Sequence, residues 1–136
     1  MLEGRKWYPA PAATTDRLVA LRQAVPLELP GSYYRLLAFS NGGEGPLPVS
    51  PYNLCLDPSD MVTEAIRTSN HGQQDLDGFV VFGGSGGGEL LAFDVRGQAP
   101  WRIVMIDMVS GAQSVAPVAA DFDEFLGLIG LEPADR

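Results

Sequence analysis

The chain has 136 residues, enough for one domain that buries a single continuous core. Its hydrophobic content of 46% and charged content of 19% are typical of globular proteins and exclude a disordered chain. Seventeen acidic residues against nine basic ones give a formal net charge of −8. A surface of this sign repels nucleic-acid phosphates and anionic lipids and attracts basic partners, so nucleic-acid binding is not expected.

Three features predict where the chain resides. No apolar run approaches the roughly 18 residues of a membrane span, so no membrane association is expected. The basic pair Arg5 and Lys6 is not followed by an apolar segment, which argues against a secretory signal. Cys55 is the single cysteine, which excludes an intramolecular disulfide and suits a reducing compartment. Together they predict a cytoplasmic protein.

The chain divides into an arm and a domain. Residues 1–13 are predicted to form an irregular N-terminal arm, because their prolines restrict the backbone to extended conformations. The aromatic side chains of Trp7 and Tyr8 predict that this arm docks on the domain. Residues 14–136 are predicted to be that single domain.

Three helices are predicted in the first half of the domain. The first begins at Thr14 or Thr15, either of which can cap a helix, and ends before Pro26. The second begins at Pro30, since the fixed φ of proline suits the first helical position. The third has Asp57 as its predicted N-terminal cap.

Strands follow the helices. Residues 79–94 hold two apolar runs around a glycine-rich loop, a pattern typical of a β-hairpin. Before it, the proline-rich residues 44–53 are predicted to run irregularly over the surface, and residues 54–56 to form a short edge strand. The remaining predicted elements are strands at residues 101–106 and 113–116 and a final helix that begins at Asp121 with a capping-box pattern. This order predicts a single α+β domain whose central, mainly antiparallel β-sheet is packed by N-terminal helices and a C-terminal helix.

The glycine-rich loop does not match a phosphate-binding motif. Glu89 stands where the third glycine of GxGxxG would fall, and a strand rather than a helix follows. Nucleophilic catalysis needs a nucleophile and an aligned base, and only Cys55 and His71 could provide a cysteine–histidine pair. That pair stays open, although Cys55 lies in an apolar run typical of a buried residue. One histidine and one cysteine give no metal-ligand cluster. The sequence therefore predicts no enzyme, no cofactor and no metal site.

Residues 29–44 carry the pattern LPxxYxxLLxxxNGGE, which resembles the signature of the SUKH superfamily, a group that includes fungal cell-wall-synthesis regulators of the Smi/Knr type. The resemblance continues in order over about residues 18–130. Its further matching residues are Phe82, Gly83, Gly84, Gly88, Glu89, Asp94, Pro100, Trp101, Asp121, Phe122, Phe125 and Leu126. The resemblance implies an α+β fold with a central antiparallel sheet. For most bacterial members it also implies an immunity role, in which the protein binds and neutralises a polymorphic toxin, often a nuclease.

Two acidic residues are candidates for a shared binding surface. Glu44 and Glu89 each follow a glycine run, where neither a helix cap nor an i,i+4 pair explains them, although both could be solvated loop acids. With the implied function, the predicted partner-binding residues are Glu44, Tyr52, Glu89 and Asp94. The predicted partner is a basic toxin domain. Two alternatives remain: a regulator or scaffold that binds a cell-envelope or signalling enzyme, and a small-ligand-binding protein. The oligomeric state stays open.

Overall fold

The computed structural model describes residues 1–134. These residues form seven strands and four α-helices. The strands are β1 (Tyr8–Pro9), β2 (Gly43–Pro46), β3 (Asn53–Leu56), β4 (Phe79–Gly84), β5 (Glu89–Asp94), β6 (Ile103–Asp107) and β7 (Ala116–Ala119). The helices are α1 (Thr15–Ala24), α2 (Gly31–Phe39), α3 (Ser59–Arg67) and α4 (Phe122–Leu126).

All seven strands belong to one sheet, and their spatial order is their order along the chain. Every neighbouring pair is antiparallel. The predicted α+β fold with a central antiparallel sheet is therefore confirmed. Because residues alternate between the two faces of a strand, each strand contributes to two separate surfaces of the sheet.

The first face of the sheet carries the main core. Tyr33 of α2 is fully buried there, and its ring packs edge-on against the rings of Phe82, Phe93 and Phe122 at centroid distances of 5.3 to 5.9 Å. Such edge-to-face contacts stabilise a core beyond the burial of apolar area alone. Residues of α1, α3 and α4 belong to the same buried cluster, so the helices cover this face.

The second face of the sheet has a smaller apolar cluster. It includes Phe79, Ala92, Val104 and Ile106. Two 3₁₀ turns, Gln74–Leu76 and Gly111–Ser114, lie against it, and Asp75 Oδ2 of the first accepts a hydrogen bond from Ala112 N of the second at 2.8 Å. The two 3₁₀ turns do not extend over β3, and a groove lies there instead.

Three strand predictions need correction. The segment predicted as irregular over residues 44–53 contains most of β2, and β3 is not an edge strand, because it lies between β2 and β4. Glycines lower the strand propensity of β2. They are nevertheless required, because a Cβ on Gly43 would lie 2.7 Å from Tyr8 O and one on Gly45 2.5 Å from Lys6 O. The strand predicted at residues 113–116 lies at β7 instead, after the second 3₁₀ turn.

The helix caps follow the prediction at two of three helices. Thr14 caps α1 by accepting from Arg17 N, and Asp121 caps α4 by accepting from Glu124 N at 2.8 Å. The predicted cap of α3 is wrong, since Asp57 makes no capping hydrogen bond there. Asn41 Oδ1 accepts the hydrogen bond from Ser59 N instead, at 2.7 Å.

The N-terminal arm packs against the domain along its length. Trp7 Nε1 donates to Ser40 Oγ at 3.1 Å, and β1 pairs with β2. Arg5 Nη1 donates to the carbonyl oxygens of Leu126, the last residue of α4, and Ile129 at 2.9 and 3.0 Å. The arm therefore closes the β2 side of the sheet.

Candidate functional site

A groove of about 440 Å³ lies on the second face of the sheet, beside α3. Its floor is formed by Cys55, Val81 and Leu90, which the pairing of β3, β4 and β5 brings next to one another. Met61 and Ala65 of α3 form one wall. The floor and this wall are thus mainly apolar, as is common in binding sites.

The glycine-rich loop between β4 and β5 forms the opposite wall. Gly86 has φ +79°, and a Cβ there would lie 3.3 Å from Cys55 Sγ, so a larger residue would be both strained and crowded. Asn53 Nδ2 donates to Ser85 O at 2.9 Å, and Ser85 Oγ accepts from Gly87 N at 3.0 Å. These bonds fix the loop against β3 and keep the groove open beneath it.

A left-handed turn forms the third side of the groove. Ser69, Asn70 and His71 have φ values of 52°, 58° and 58°, a region that costs non-glycine residues roughly 1–2 kcal/mol each. Asn70 Nδ2 holds the turn by donating to Leu76 O at 3.0 Å. The sequence predicts that residues 70–72 end the third helix, but α3 ends at Arg67 and this turn follows it.

Carboxylates dominate the charge of this face. Asp57 and Glu89 line the groove, and Asp75 and Asp107 line an adjoining depression of about 230 Å³. The two hollows share Leu90 and Met108 on their borders, so they form one continuous surface, here called the groove face. Within residues 1–134, no lysine or arginine lines either hollow.

Asp57 differs from the other carboxylates of the groove face. Burial raises the pKa of Asp57 above its ordinary value. Its backbone N–H donates to Phe82 O at 2.9 Å, but no side-chain hydrogen bond or ion pair reaches its carboxylate from the described residues. A partly buried charge without a partner is unfavourable for the folded state.

The structure brings together two of the four predicted partner-binding residues. Asn53 Nδ2 donates to Glu44 Oε2 at 3.0 Å as well as to the Ser85 carbonyl, and Ser85 Oγ donates to Glu89 Oε1 at 2.6 Å. Glu44 and Glu89 therefore lie on one rim, connected through Asn53 and Ser85. Tyr52 is 56% exposed in the connection that precedes β3.

Asp94 lies at the far end of β5, five residues from Glu89 and thus about 17 Å away along the strand. Its side chain is 8% exposed. Arg96 donates from Nε and Nη2 to the two carboxylate oxygens, each at 2.9 Å, and Arg102 Nε adds a bond at 3.1 Å. These guanidinium groups, Arg96 first, lower the pKa of Asp94 to about 2 despite its burial. Its oxygens are already occupied by cations of the same chain.

Cys55 and His71 line the same groove but are not arranged for nucleophilic catalysis. The polar neighbour of the thiol is Asn53 Nδ2 at 3.6 Å, whereas His71 Nδ1 lies 3.3 Å from Thr68 Oγ1. Burial and nearby Glu44 raise the pKa of the Cys55 thiol, which is the opposite of what an activated cysteine requires.

Residues 1–134 provide neither a cluster of metal ligands nor a membrane-spanning helix. No three or more His, Cys, Asp and Glu side chains in this range come together as metal ligands would. No helix in the same range is both long and apolar enough to cross a membrane.

A known family matches nearly the whole fold. The model of the SMI1 / KNR4 family (SUKH-1) matches residues 12–128, which run from the end of the arm to just beyond α4. The chain belongs to this family. The predicted SUKH relationship is therefore confirmed. No curated protein gives a significant match to the chain.

The signature residues of this SUKH-1 chain build the fold rather than the groove. Tyr33 is the centre of the aromatic core, and Asn41 caps α3. Gly42 and Gly43 have φ values of 116° and 110°, and Gly43 lies directly under Trp7. The LPxxY segment thus identifies the scaffold, whereas four of the further matching residues line the groove, namely Gly83, Gly84, Gly88 and Glu89.

Three residues of the groove face in this SUKH-1 chain were not predicted from its sequence as site residues. Asp57 has the sequence context of a helix cap, and Met61 that of a buried helix position. Met108 lies in a predicted turn. Met61 and Met108 are instead 57% and 61% exposed. An apolar residue at the end of a strand is the one sequence signal that could have drawn attention to Met108.

Proposed function

We propose that this SUKH-1 protein is an immunity protein that binds a basic, nuclease-type toxin and covers the toxin's phosphate-binding surface. The observation that supports this function is the groove face, where four carboxylates surround exposed apolar side chains without a lining lysine or arginine in the described chain. A nuclease needs a basic surface to hold phosphates, and an acidic face complements it.

Five basic residues of the described chain are engaged away from the groove face. Arg17 and Arg22 pair with acids of the helical side at 3.5 and 3.7 Å, and Arg96 and Arg102 hold Asp94. Lys6 Nζ pairs with Glu132 Oε1 at 2.7 Å. These five side chains therefore do not compensate the negative charge of the groove face. Such a field raises the rate at which a basic partner docks and orients it.

Exposed apolar side chains provide this surface with apolar contacts for a partner. Met61, Met108 and Val109 are 57%, 61% and 96% exposed and lie around the two hollows. Flexible methionine side chains can adapt to an irregular partner surface. In protein interfaces a few buried apolar contacts provide most of the binding energy, whereas charges at the rim set rate and specificity.

The four partner-binding residues predicted from the sequence do not all have the same place in this proposal. Glu44 and Glu89 lie on the rim of the groove face, and Tyr52 precedes β3 near that rim, so all three are proposed partner contacts. Asp94 stays a predicted contact, although its carboxylate is bound by two arginines. The place of action we propose is the cytoplasm, where a nuclease would reach nucleic acid.

A survival experiment tests the proposal. The protein is co-expressed with each basic toxin domain encoded beside its gene, and colony formation is compared for wild type, Met61→Lys and Val19→Lys. Both substitutions add one positive charge at an exposed apolar position of a helix, but Val19 lies on α1, outside the groove face. We expect wild type and Val19→Lys to protect the cells. Met61→Lys should give fewer colonies, because we expect it to lose about tenfold or more in affinity for the toxin.

Two outcomes would contradict the proposal. Absence of protection by the wild-type protein would argue against toxin neutralisation, and protection by all three forms would argue against the groove face. Recovery of only non-basic assemblies in a pull-down would favour the alternative of a regulator or scaffold.

A further inference from the structure

The carboxylate of Asp57 lacks a partner in a place where one is expected. Its backbone lies between β3 and α3, its side chain lines the groove, and no ion pair or hydrogen-bond donor among residues 1–134 reaches its oxygens. Asp57 is half-buried, and partial burial of a carboxylate without such a partner is unfavourable. The other carboxylates of the groove face are satisfied in part, as Asp75 is by Ala112 N and Glu89 by Ser85 Oγ.

The surroundings of Asp57 are apolar and open to solvent. Val81, Leu90 and Ala65 line the groove with Asp57, and Met61 stands at its mouth. A lysine or arginine side chain combines an apolar stem with a cationic head, so it can lie along such a wall and still place its charge at a carboxylate. A volume of about 440 Å³ is sufficient for one such side chain and some of its neighbours.

We propose that the groove is the receptor for one lysine or arginine side chain of the partner protein, with the stem on Val81 and Leu90 and the cationic head at Asp57. This inference rests on the proposed function, because it names what the toxin inserts. The inserted cation would supply the partner that Asp57 lacks. Docking would therefore remove the unfavourable free energy of a partly buried Asp57 carboxylate that has no partner in the free protein.

Two observations favour a protein side chain over other cations. A metal ion would need several ligands, and no group of three suitable side chains exists among the described residues. A small amine would occupy only the groove. Met108, Val109 and the adjoining acidic depression extend the surface well beyond the groove. A partner that inserts a cation can cover all of these at once.

The first experiment needs no partner. The full chain, with methyl-labelled Val and Leu, is titrated with n-butylammonium and, as a matched uncharged control, with n-butanol, while NMR records the methyl signals. We expect n-butylammonium to shift the signals of Val81 and Leu90 at concentrations about tenfold or more below those at which n-butanol does. Equal responses to both compounds, or none to the cation, would overturn the proposal.

The second experiment uses the toxin that the wild-type protein binds. Asp57→Asn keeps the side-chain shape and removes the charge. Asp60→Asn is the matched control three residues away, because Asp60 faces α1 and its recorded ion pair is to Arg17 at 3.5 Å. We expect the first variant to lose about tenfold or more in affinity without a fall in melting temperature, and the second to bind as wild type does. Equal affinity of Asp57→Asn and wild type would overturn the proposal.

The two proposals can fail separately. If no basic toxin binds the wild-type protein, the immunity function fails, yet the n-butylammonium titration still tests the cation receptor. If the toxin binds and Met61→Lys weakens it but Asp57→Asn does not, the groove face stands and the receptor at Asp57 is wrong. If Asp57→Asn does not fold, the wild-type titrations against cation and alcohol still decide the question.

Discussion

Two aspartates, Asp57 after β3 and Asp94 at the end of β5, show how the surroundings decide what a carboxylate does. Asp94 is 8% exposed, but it is held by Arg96 and Arg102, and its pKa lies at about 2. Burial acts on Asp57 without any cation, so the pKa of Asp57 is raised. The ionised form therefore contributes to folding at Asp94 and opposes folding at Asp57.

Replacing Asp94 is expected to lower stability at neutral pH and to matter less in acid. Asp94→Asn should lower the free energy of unfolding at pH 7 by about 1–3 kcal/mol, because charged hydrogen bonds to two arginines are lost. In the wild type, the folded state holds the Asp94 proton less tightly than the unfolded chain does. This stabilisation is complete above the ordinary pKa of 3.8 and disappears as the pH falls to about 2.

Urea unfolding between pH 7 and pH 2 measures the effect of Asp94→Asn. Asp77→Asn is the control, because Asp77 is exposed and no ion pair involves it within the described chain. A difference between wild type and Asp94→Asn that stays constant down to pH 2 would contradict this account.

At the scale of elements, the segment that connects α2 to β2 holds three parts of the fold together. Ser40 Oγ is fully buried and accepts from Trp7 Nε1 and Ala10 N of the arm at 3.1 and 3.0 Å. Asn41 Oδ1 accepts from Ser59 N at the start of α3. Two adjacent residues thus join the arm and α3 to the end of α2, and of the two Asn41 belongs to the family pattern.

Removing the cap at Asn41 is expected to destabilise α3. Asn41→Ala should lower the free energy of unfolding by about 1 kcal/mol, the usual cost of losing an N-terminal cap. Hydrogen exchange should show faster exchange of the α3 amides, and therefore a less ordered wall of the groove. Thr14→Ala, which removes the cap of α1, is the control and should not affect α3. Unchanged exchange in α3 after Asn41→Ala would contradict the capping role.

The sequence predicts those elements whose signals are local. Thr14 and Asp121 cap their helices as predicted, and the hairpin around the glycine-rich loop is correct, because caps and apolar alternation depend on nearby residues. β2 was missed because its glycines are explained only by the backbone of the arm that packs on them. Asp57 was misassigned because the true cap, Asn41, is distant in sequence and reaches α3 only in the fold. The groove could not be predicted, since its walls come from α3, a left-handed turn and a loop.

At the scale of the whole molecule, charge is separated between faces. The helical side and the arm contain paired charges, whereas the groove face has carboxylates without lining cations in the described chain. A separated field acts over distances set by the ionic strength, about 10 Å at 0.1 M salt. Binding of a basic toxin is therefore expected to depend on salt mainly through the association rate.

Stopped-flow kinetics at 0.05 and 0.5 M salt measure this dependence. We expect the association rate constant with the toxin to fall by about tenfold or more at the higher salt concentration, while the dissociation rate constant changes less. Val19→Lys, which adds charge on the helical side, should keep nearly the same salt dependence. An association rate that does not change with salt would contradict steering by the groove face.

Lys6 N donates to Gly130 O at 2.9 Å, and Arg5 donates to carbonyls at and just after the end of α4. These bonds join segments that the ribosome makes about 120 residues apart. Because the strands lie in chain order, the sheet can form progressively as the nascent chain emerges. The arm, although it is synthesised before the sheet and helices that it contacts, cannot be locked in place until α4 has left the exit tunnel. Emergence of α4 therefore precedes the final closure of the β2 side, and the arm becomes ordered after segments that follow it in the chain.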